Sequence, residues 1–313
     1  MSRMISVQTG GVINVFGVEE GMRLIAAAGF DGVDLGLCDY LPGKKIHKGL
    51  IEGEFTLPEE EFLDTVIRPV REAAERHGLR FAQAHAPYSS WTPFSEPMND
   101  FLMRSFEMCL AACRYLSCPY LVIHPACMHY EHRLDPAFEY ELNMTRYAAL
   151  IPAARRAGVR ILLENMFSSC NGKALETACA DMHDACRYID ALNEKAGEEL
   201  FGFCYDTGHA ALLGKDQGIA IHTLGKRLMA LHLHDNDGSV DRHRFPYSGV
   251  IDWDMVLRSL REIGYAGAIN FETSGEMAAY GNRFTPKLLE LLGEIGRSFA
   301  RVVDGDSAAK WPE

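Results

Sequence analysis

The chain has 313 residues, 48% of them hydrophobic and 24% charged, with a formal net charge of −12. This is an ordinary globular composition, long enough to bury a substantial core and free of low-complexity tracts. The acidic balance argues against tight, sequence-independent nucleic-acid binding, and no stretch approaches the roughly 18 apolar residues of a membrane span.

The start, MSRMISVQTGGVINVF, lacks the apolar stretch of a signal peptide, so a cytoplasmic location is expected. Nine cysteines, an odd number without paired C-x-x-C spacing, fit reduced thiols better than a disulfide framework. Cys109 and Cys113 share one helical face and read as core.

In chain order, short β-prone runs alternate with helical periodicity. Strands are expected at 4–8, 32–37, 80–85, 119–124, 159–164, 201–206, 228–234 and 268–272, giving eight β/α units. Their near-continuous apolar character suits parallel strands covered on both faces, and eight such units favour a closed (β/α)8 TIM barrel of the α/β class. One domain is expected over residues 1–303, followed by a mobile polar tail at 304–313.

Between the strands, residues 38–57 and 165–174 read as loops on one face, expected to shape substrate selectivity. Pro69 and Pro152 fall inside helical stretches and predict a kink or an earlier helix end. Asp135-Pro136 starts a helix that Gly158 stops. After Asp252, the spacing of Trp253, Val256, Leu257, Leu260 and Ile263 predicts an amphipathic helix ended by Gly264.

A polar, metal-ligand type of residue recurs where strands should stop: Glu164 in ILLE, Asp206 in FCYD, His232 in MALH and Glu272 in INFE. Barrel strand ends converge on one face, so these four can surround a single cation. Each carboxylate alone reads as a helix cap or a surface ion pair; the four together read as a metal site. Three carboxylates and one imidazole suit Mn²⁺ best, with Mg²⁺, Co²⁺ and Zn²⁺ open. Strand alternation puts His232 and His234 on the same side, so on the residues alone either is a candidate ligand.

His85, His124 and His209 repeat the theme at the same mouth. His85 and His124 taken singly read as hydrogen-bonded barrel histidines, whereas His209, three beyond Asp206, is placed to approach a substrate. His243 lies in a loop from which it would reach back over the mouth. It belongs to Arg242-His243-Arg244, a basic cluster too small for a phosphate track and read as a solvated loop.

The segments AHAPY (84–88), VIHP (122–125), LLEN (162–165), YDTGH (205–209), HLHDNDG (232–238), DRH (241–243), GVIDWDMVLRSLREIGYAG (249–267) and FE (271–272), matched in order, resemble the xylose-isomerase-like barrel superfamily. That superfamily includes sugar phosphate isomerases and epimerases, ketose 3-epimerases and endonuclease IV. The resemblance covers nearly the whole chain. It implies one divalent cation held by Glu164, Asp206, His232 and Glu272, with His232 rather than His234 as the ligand. It also implies that Glu164 and Glu272 move protons on opposite faces of a sugar carbon through an enediolate, the cation acting as a Lewis acid.

The expected function is therefore a metal-dependent isomerase or epimerase of a ketose, polyol or keto-sugar derivative. Its substrate-binding residues are taken as His85, His124, His209, His234 and His243. A small-molecule sugar is the expected partner, with no nucleic acid or membrane, and a homo-oligomer is compatible.

The chain departs from the ketose 3-epimerases at Cys170, where they carry a substrate-binding glutamate, and at Gly238, where they carry an arginine. Lyase, dehydratase or C-glycoside-cleaving chemistry on the same barrel is the alternative. The rival from another class is an endonuclease IV-like nuclease, whose three zinc ions are held by residues matching His85, His124, Glu164, Asp206, His209, His232, Asp241, His243 and Glu272. A sugar-binding protein on a degenerate barrel is disfavoured by the intact metal positions.

Overall fold

A computed structural model of the chain describes residues 3–41, 57–88, 90–93, 95–128 and 133–306. Ile5–Gln8 (β1), Gly32–Gly36 (β2), Arg80–His85 (β3), Tyr120–Val122 (β4) and Arg160–Glu164 (β5) pair in parallel, each with the next. A hairpin, Phe167–Cys170 (β6) and Lys173–Glu176 (β7), interrupts the series. Phe201–Asp206 (β8), Leu228–His232 (β9) and Ile269–Phe271 (β10) complete it.

β1 pairs with β10 in the register Ile5↔Ile269 and Ser6↔Asn270, and a bridge between Leu233 and Phe271 joins the last two strands. The eight parallel strands thus form a nearly closed TIM barrel with helices around it. β1, β2 and β8 are buried at every position, including the polar Ser6, Gln8 and Asp34 of the first two.

The helices follow their terminal signals. Asp135 caps Pro136–Ala157 by accepting from the N–H groups of Ala137 and Phe138 at 3.0 and 3.1 Å, and Gly158 ends it in the left-handed region at φ +67°. Asp252 caps Trp253–Glu262, whose Trp253, Val256, Leu257 and Leu260 are buried; Trp253 lies 5.3 Å, centroid to centroid, from Phe299 of the helix Thr285–Val303. Cys109 and Cys113 are fully buried.

Several expectations need correction. Residues 165–174 are not a plain loop: they contribute to the β6–β7 hairpin, with Asn171 and Gly172 at φ +51° and +74° as its two-residue turn. Asn-Gly is the pair that best tolerates positive φ at both turn positions, so the residues that suggested a loop mark a hairpin. Pro152 neither ends nor shortens its helix, which runs on to Ala157 with Pro152 on its exposed side. Pro69 does mark an irregularity, because it follows a π-helical turn over Leu63–Ile67 and lacks the N–H that an α-helical bond would use.

β4 and β9 stop at Val122 and His232, leaving His124 and His234 in the segments beyond. Of the 38–57 stretch, Leu37–Asp39 forms a 3₁₀ turn and residues 42–56 lie outside the described part. The last helix ends at Val303; of the tail, 307–313 lie outside it. No described helix is long and apolar enough to cross a membrane.

The barrel interior has two halves. Beneath the mouth on β4, β5, β8 and β9, Val122, Leu162, Cys204 and Ala230 form their own apolar cluster. Across from them on β10, β1, β2 and β3 stand Asn270, Ser6, Asp34 and Gln83, all buried and joined by hydrogen bonds. The larger apolar core lies between strands and helices.

Candidate metal centre at the barrel mouth

Period-two alternation explains why the site faces inward. Glu164, Asp206, His232 and Glu272 each stand two residues beyond an interior side chain, Leu162, Cys204, Ala230 and Asn270 respectively, and so point to the same side of the sheet. All four are buried. The His232 Nδ1 atom lies 3.3 Å from Glu164 Oε1 and 3.3 Å from Glu272 Oε2. Glu164, Asp206 and His232 present ligand atoms within 4.8 Å of one another. Asp206 serves twice: one oxygen caps the helix Thr207–Leu212 through the His209 N–H at 2.7 Å, and Oδ2 meets His234 Nε2 at 3.0 Å.

The histidines are oriented by their second nitrogens. A carbonyl only accepts, so a ring nitrogen bonded to one must carry the proton. His85 Nδ1 donates to Ala86 O at 2.7 Å, His124 Nδ1 to Tyr88 O at 3.2 Å, His209 Nδ1 to Asn165 O at 2.9 Å and His243 Nδ1 to Glu272 O at 3.0 Å. Each neutral ring is left with a lone pair on Nε2. For His232 the arrangement is reversed, with Nε2 on the Asp34 carboxylate at 3.1 Å and Nδ1 left for the site.

The consequence is acceptor facing acceptor. His85 Nε2 and His124 Nε2 are 3.0 Å apart, and Glu164 Oε2 lies 3.5 and 3.3 Å from them. His243 Nε2 and His209 Nε2 converge on Asp241 Oδ2 at 2.9 and 3.5 Å. Glu164 Oε2, His232 Nδ1 and Asp241 Oδ1 are buried without a hydrogen-bond partner. Such atoms are costly unless a proton or a cation sits among them, so the donor set fits a bound metal.

Without a cation, protons meet part of this demand: burial presses His209 and His232 down, but their negative neighbours outweigh it and raise both well above the ordinary imidazole range. Burial pushes the Glu164 carboxyl up, but the imidazoles of His232 and His124 outweigh it and hold the group well below the usual range. Burial presses His85 and His124 down alike, yet Glu164 lifts His85 above its ordinary value while His124 stays below, as expected for a facing pair that shares one proton. Burial also depresses His243, and Asp241 with Glu272 overrides it, raising this ring to about 9.

A cavity of about 300 Å³ opens above these groups, lined by His85, His124, Glu164, His209, His243 and Glu272 among others. Asp206 and His232 are fully buried and do not line it. His234, expected against substrate, does not line the cavity. It is fully buried on Asp206, its ring stacked 4.2 Å from His243 and packed so tightly on Gly208 that a Cβ there would fall 1.9 Å from the ring. Arg242 pairs with Asp237 at 2.6 Å and is exposed, while His243 turns inward at φ +46°, so the basic triplet splits.

Sequence reading overlooked Gln8, which donates to Glu272 Oε1 at 2.7 Å, and Asp34 behind His232. It also gave no role to Tyr88 and Ser274 of the wall, whereas Met166, Phe167 and Ser169 belong to the 165–174 segment expected to shape selectivity. A signal for the first two was present: Gln8 ends its strand as the four ligands end or follow theirs, and Asp34 is a charged residue inside an otherwise apolar one.

A nearly closed parallel barrel with a buried acceptor set at its C-terminal mouth has the architecture of a TIM-barrel enzyme. Residues 22–290 match the family model described as Xylose isomerase-like TIM barrel, and the chain belongs to that family. It is 35% identical over 82 residues to an uncharacterized protein of Sinorhizobium fredii, a match spanning 26% of each chain. To an uncharacterized protein of Methanocaldococcus jannaschii it is 26% identical over 238 residues, 73% of this chain and 76% of that one.

Among solved structures, a D-tagatose 3-epimerase-like protein superposes with a TM-score of 0.70 at 18% identity, covering 96% of this chain and 98% of that one. The IOLI protein, with a bound zinc atom in its crystal structure, superposes with a TM-score of 0.71 at 18% identity, covering 97% and 99%. At these identities the structural likeness establishes the shared fold.

Proposed function

We propose that this protein is a divalent-metal-dependent isomerase or epimerase of a small ketose, polyol or keto-sugar derivative, with Glu164, Asp206, His232 and Glu272 as the metal set. The observation that carries this reading is the His232 ring: its Nε2–H donates to Asp34, leaving the Nδ1 lone pair 3.3 Å from two carboxylates. Three hard oxygen donors and one imidazole favour Mn²⁺ over a thiophilic ion. When bound, the cation supplies Lewis-acid polarisation of a substrate carbonyl or hydroxyl.

The chain's own residues divide the remaining work. Glu272 is held by Gln8 on one oxygen, and Glu164 leaves Oε2 without a partner, so the two carboxylates are steadied differently. In the proposed reaction one takes a carbon-bound proton and the other returns one, through a substrate enediolate. His209 and His243, on the rim with Asp241, orient hydroxyls. Among the described residues the cavity lining carries no Lys or Arg, which supports an uncharged rather than a phosphorylated substrate. Incubation with a panel of ketoses in D₂O should exchange one carbon-bound proton, and Glu272→Gln should abolish it. Exchange undiminished in that variant would refute its assignment.

A second reading rests on the two flanking acceptor sets, His85–His124–Glu164 and Asp241 with His209 and His243, which exceed what one cation requires. Filled with zinc, the three sets would suit phosphodiester hydrolysis. Metal analysis distinguishes the readings: about one ion per chain fits the isomerase, and three tightly held zinc ions with nicking of duplex DNA fit the nuclease.

A further inference from the structure

We propose that Asp34 is a positioning residue: as hub of the polar half of the barrel interior, it fixes His232 in the one tautomer and orientation that serve a cation. The proposal rests on the metal-site reading above. Asp34 stands in β2, fully buried, and is not among the residues that line the cavity. Its Oδ2 atom accepts three hydrogen bonds from three other strands: Gln83 Nε2 of β3 at 2.9 Å, His232 Nε2 of β9 at 3.1 Å and Asn270 Nδ2 of β10 at 3.1 Å.

The two amides are tied in turn. Asn270 Oδ1 accepts from Ser6 Oγ at 2.7 Å, and both Asn270 Nδ2 and Gln83 Nε2 reach the carbonyl of Leu231 at 3.1 and 3.4 Å. Five strands therefore hold one carboxylate in place, and Leu231 is the residue that precedes His232. Rotating the carboxylate would break bonds to several strands at once. Because a carboxylate accepts and does not donate, the imidazole facing it must carry its proton on Nε2. The lone pair then falls on Nδ1, the atom between Glu164 and Glu272, and the negative partner raises the basicity of the ring toward a metal.

Asn at position 34 is the informative change, since it preserves volume and an acceptor oxygen. It removes the charge and turns Oδ1, which has no hydrogen-bond partner, into an NH₂ group with nothing to donate to. Purified full-length protein would be titrated with Co²⁺ by calorimetry. The tautomer of His232 would be read in the metal-free state, at a pH high enough for the ring to be neutral, from its ¹⁵N–¹H long-range correlations.

Asp34→Asn is expected to weaken Co²⁺ binding by roughly 10–100-fold, as observed for partners of metal-binding histidines. The single Nε2–H tautomer should give way to a mixture. Ser6→Ala, at the far edge of the same network, is the control for a merely structural role: it should leave Co²⁺ affinity within about threefold. Wild-type affinity and a wild-type tautomer in Asp34→Asn overturn the proposal alone. Equal weakening in Ser6→Ala reduces Asp34 to packing and also overturns it. Absence of Co²⁺ binding by the wild-type protein overturns both this proposal and the metal-site reading beneath it.

Discussion

At the floor of the barrel, Arg297 forks onto Asp31 at 2.8 and 2.9 Å and Arg3 meets Asp304 at 2.8 Å, each donor opposite an acceptor and each pair partly exposed. At the mouth, His85 faces His124 and His232 faces two glutamates, acceptor opposite acceptor and buried. The floor has the larger cavity, about 1020 Å³ against about 300 Å³, yet Arg3 and Arg71 of its lining already have carboxylates. Volume therefore does not locate the chemistry. The distinguishing property is unmet hydrogen-bonding demand: matched pairs contribute modestly to stability, whereas unmatched buried acceptors cost free energy until a ligand arrives.

The contrast is broken or sharpened by measurement, most strongly at Glu164, which belongs to two of the mouth's acceptor sets. Glu164→Gln should leave the circular dichroism spectrum intact and lower substrate-dependent deuterium exchange by roughly 10²–10⁴-fold, the range for losing a positioned acid or base. An exchange rate within tenfold of wild type would remove Glu164 from the reaction.

Metal addition comes next. Mn²⁺ at a hundred times its Kd should stabilise the protein by about 2.7 kcal/mol, seen as a rise in Tm that EDTA reverses. The increment should be the same in a variant altered only at the floor.

Gly208→Ala drives a methyl group into the His234 ring, which is held on the other side by His243. A loss of about 1–3 kcal/mol in denaturant unfolding is expected, together with weaker metal binding as Asp206 loses its partner. Destabilisation with unchanged metal affinity would show that His234 only packs.

The smallest effect belongs to the floor. Burial pushes the Asp31 carboxyl up, but Arg297 and the Ile5 N–H outweigh it and hold the group below its ordinary value. A depressed acid contributes stability above its unfolded pKa, near 3.9, and that contribution is lost as pH falls through the lower folded value. Arg297→Ala should cost no more than about 1 kcal/mol at neutral pH, move the acid-unfolding midpoint upward and leave metal binding untouched.

Much of this was legible because strand ends in a barrel obey simple geometry. Glu164, Asp206, His232 and Glu272 terminate apolar runs, and a terminal ligand-type residue on a period-two strand has only two sides to choose from. Asp34, Gln8 and Gln83 were overlooked for a related reason. They lie within strands, where a polar side chain normally argues against burial, and only the partner strands across the barrel show that each is satisfied. The role of His234 turned on contact: alternation put it beside His232, but the absence of a side chain at Gly208 lets it sink behind Asp206. The hairpin was misjudged because Ser, Asn and Gly serve loops and tight turns alike, and the turn residues alone do not reveal the pairing that runs back to Phe167 and Glu176.

The seam between the first and last strands has a bearing on how the molecule is born. Ile5 pairs with Ile269, and Gln8 of the earliest strand holds Glu272, which follows the latest. Contacts so distant along the chain form late, after much loop entropy has been surrendered. On the ribosome, Glu164, Asp206 and His232 emerge well before the residue that completes their set. A nascent chain shorter than 272 residues would lack the fourth ligand, which directly follows the closing strand, so tight metal capture should report ring closure and serve as an assay for the final folding event.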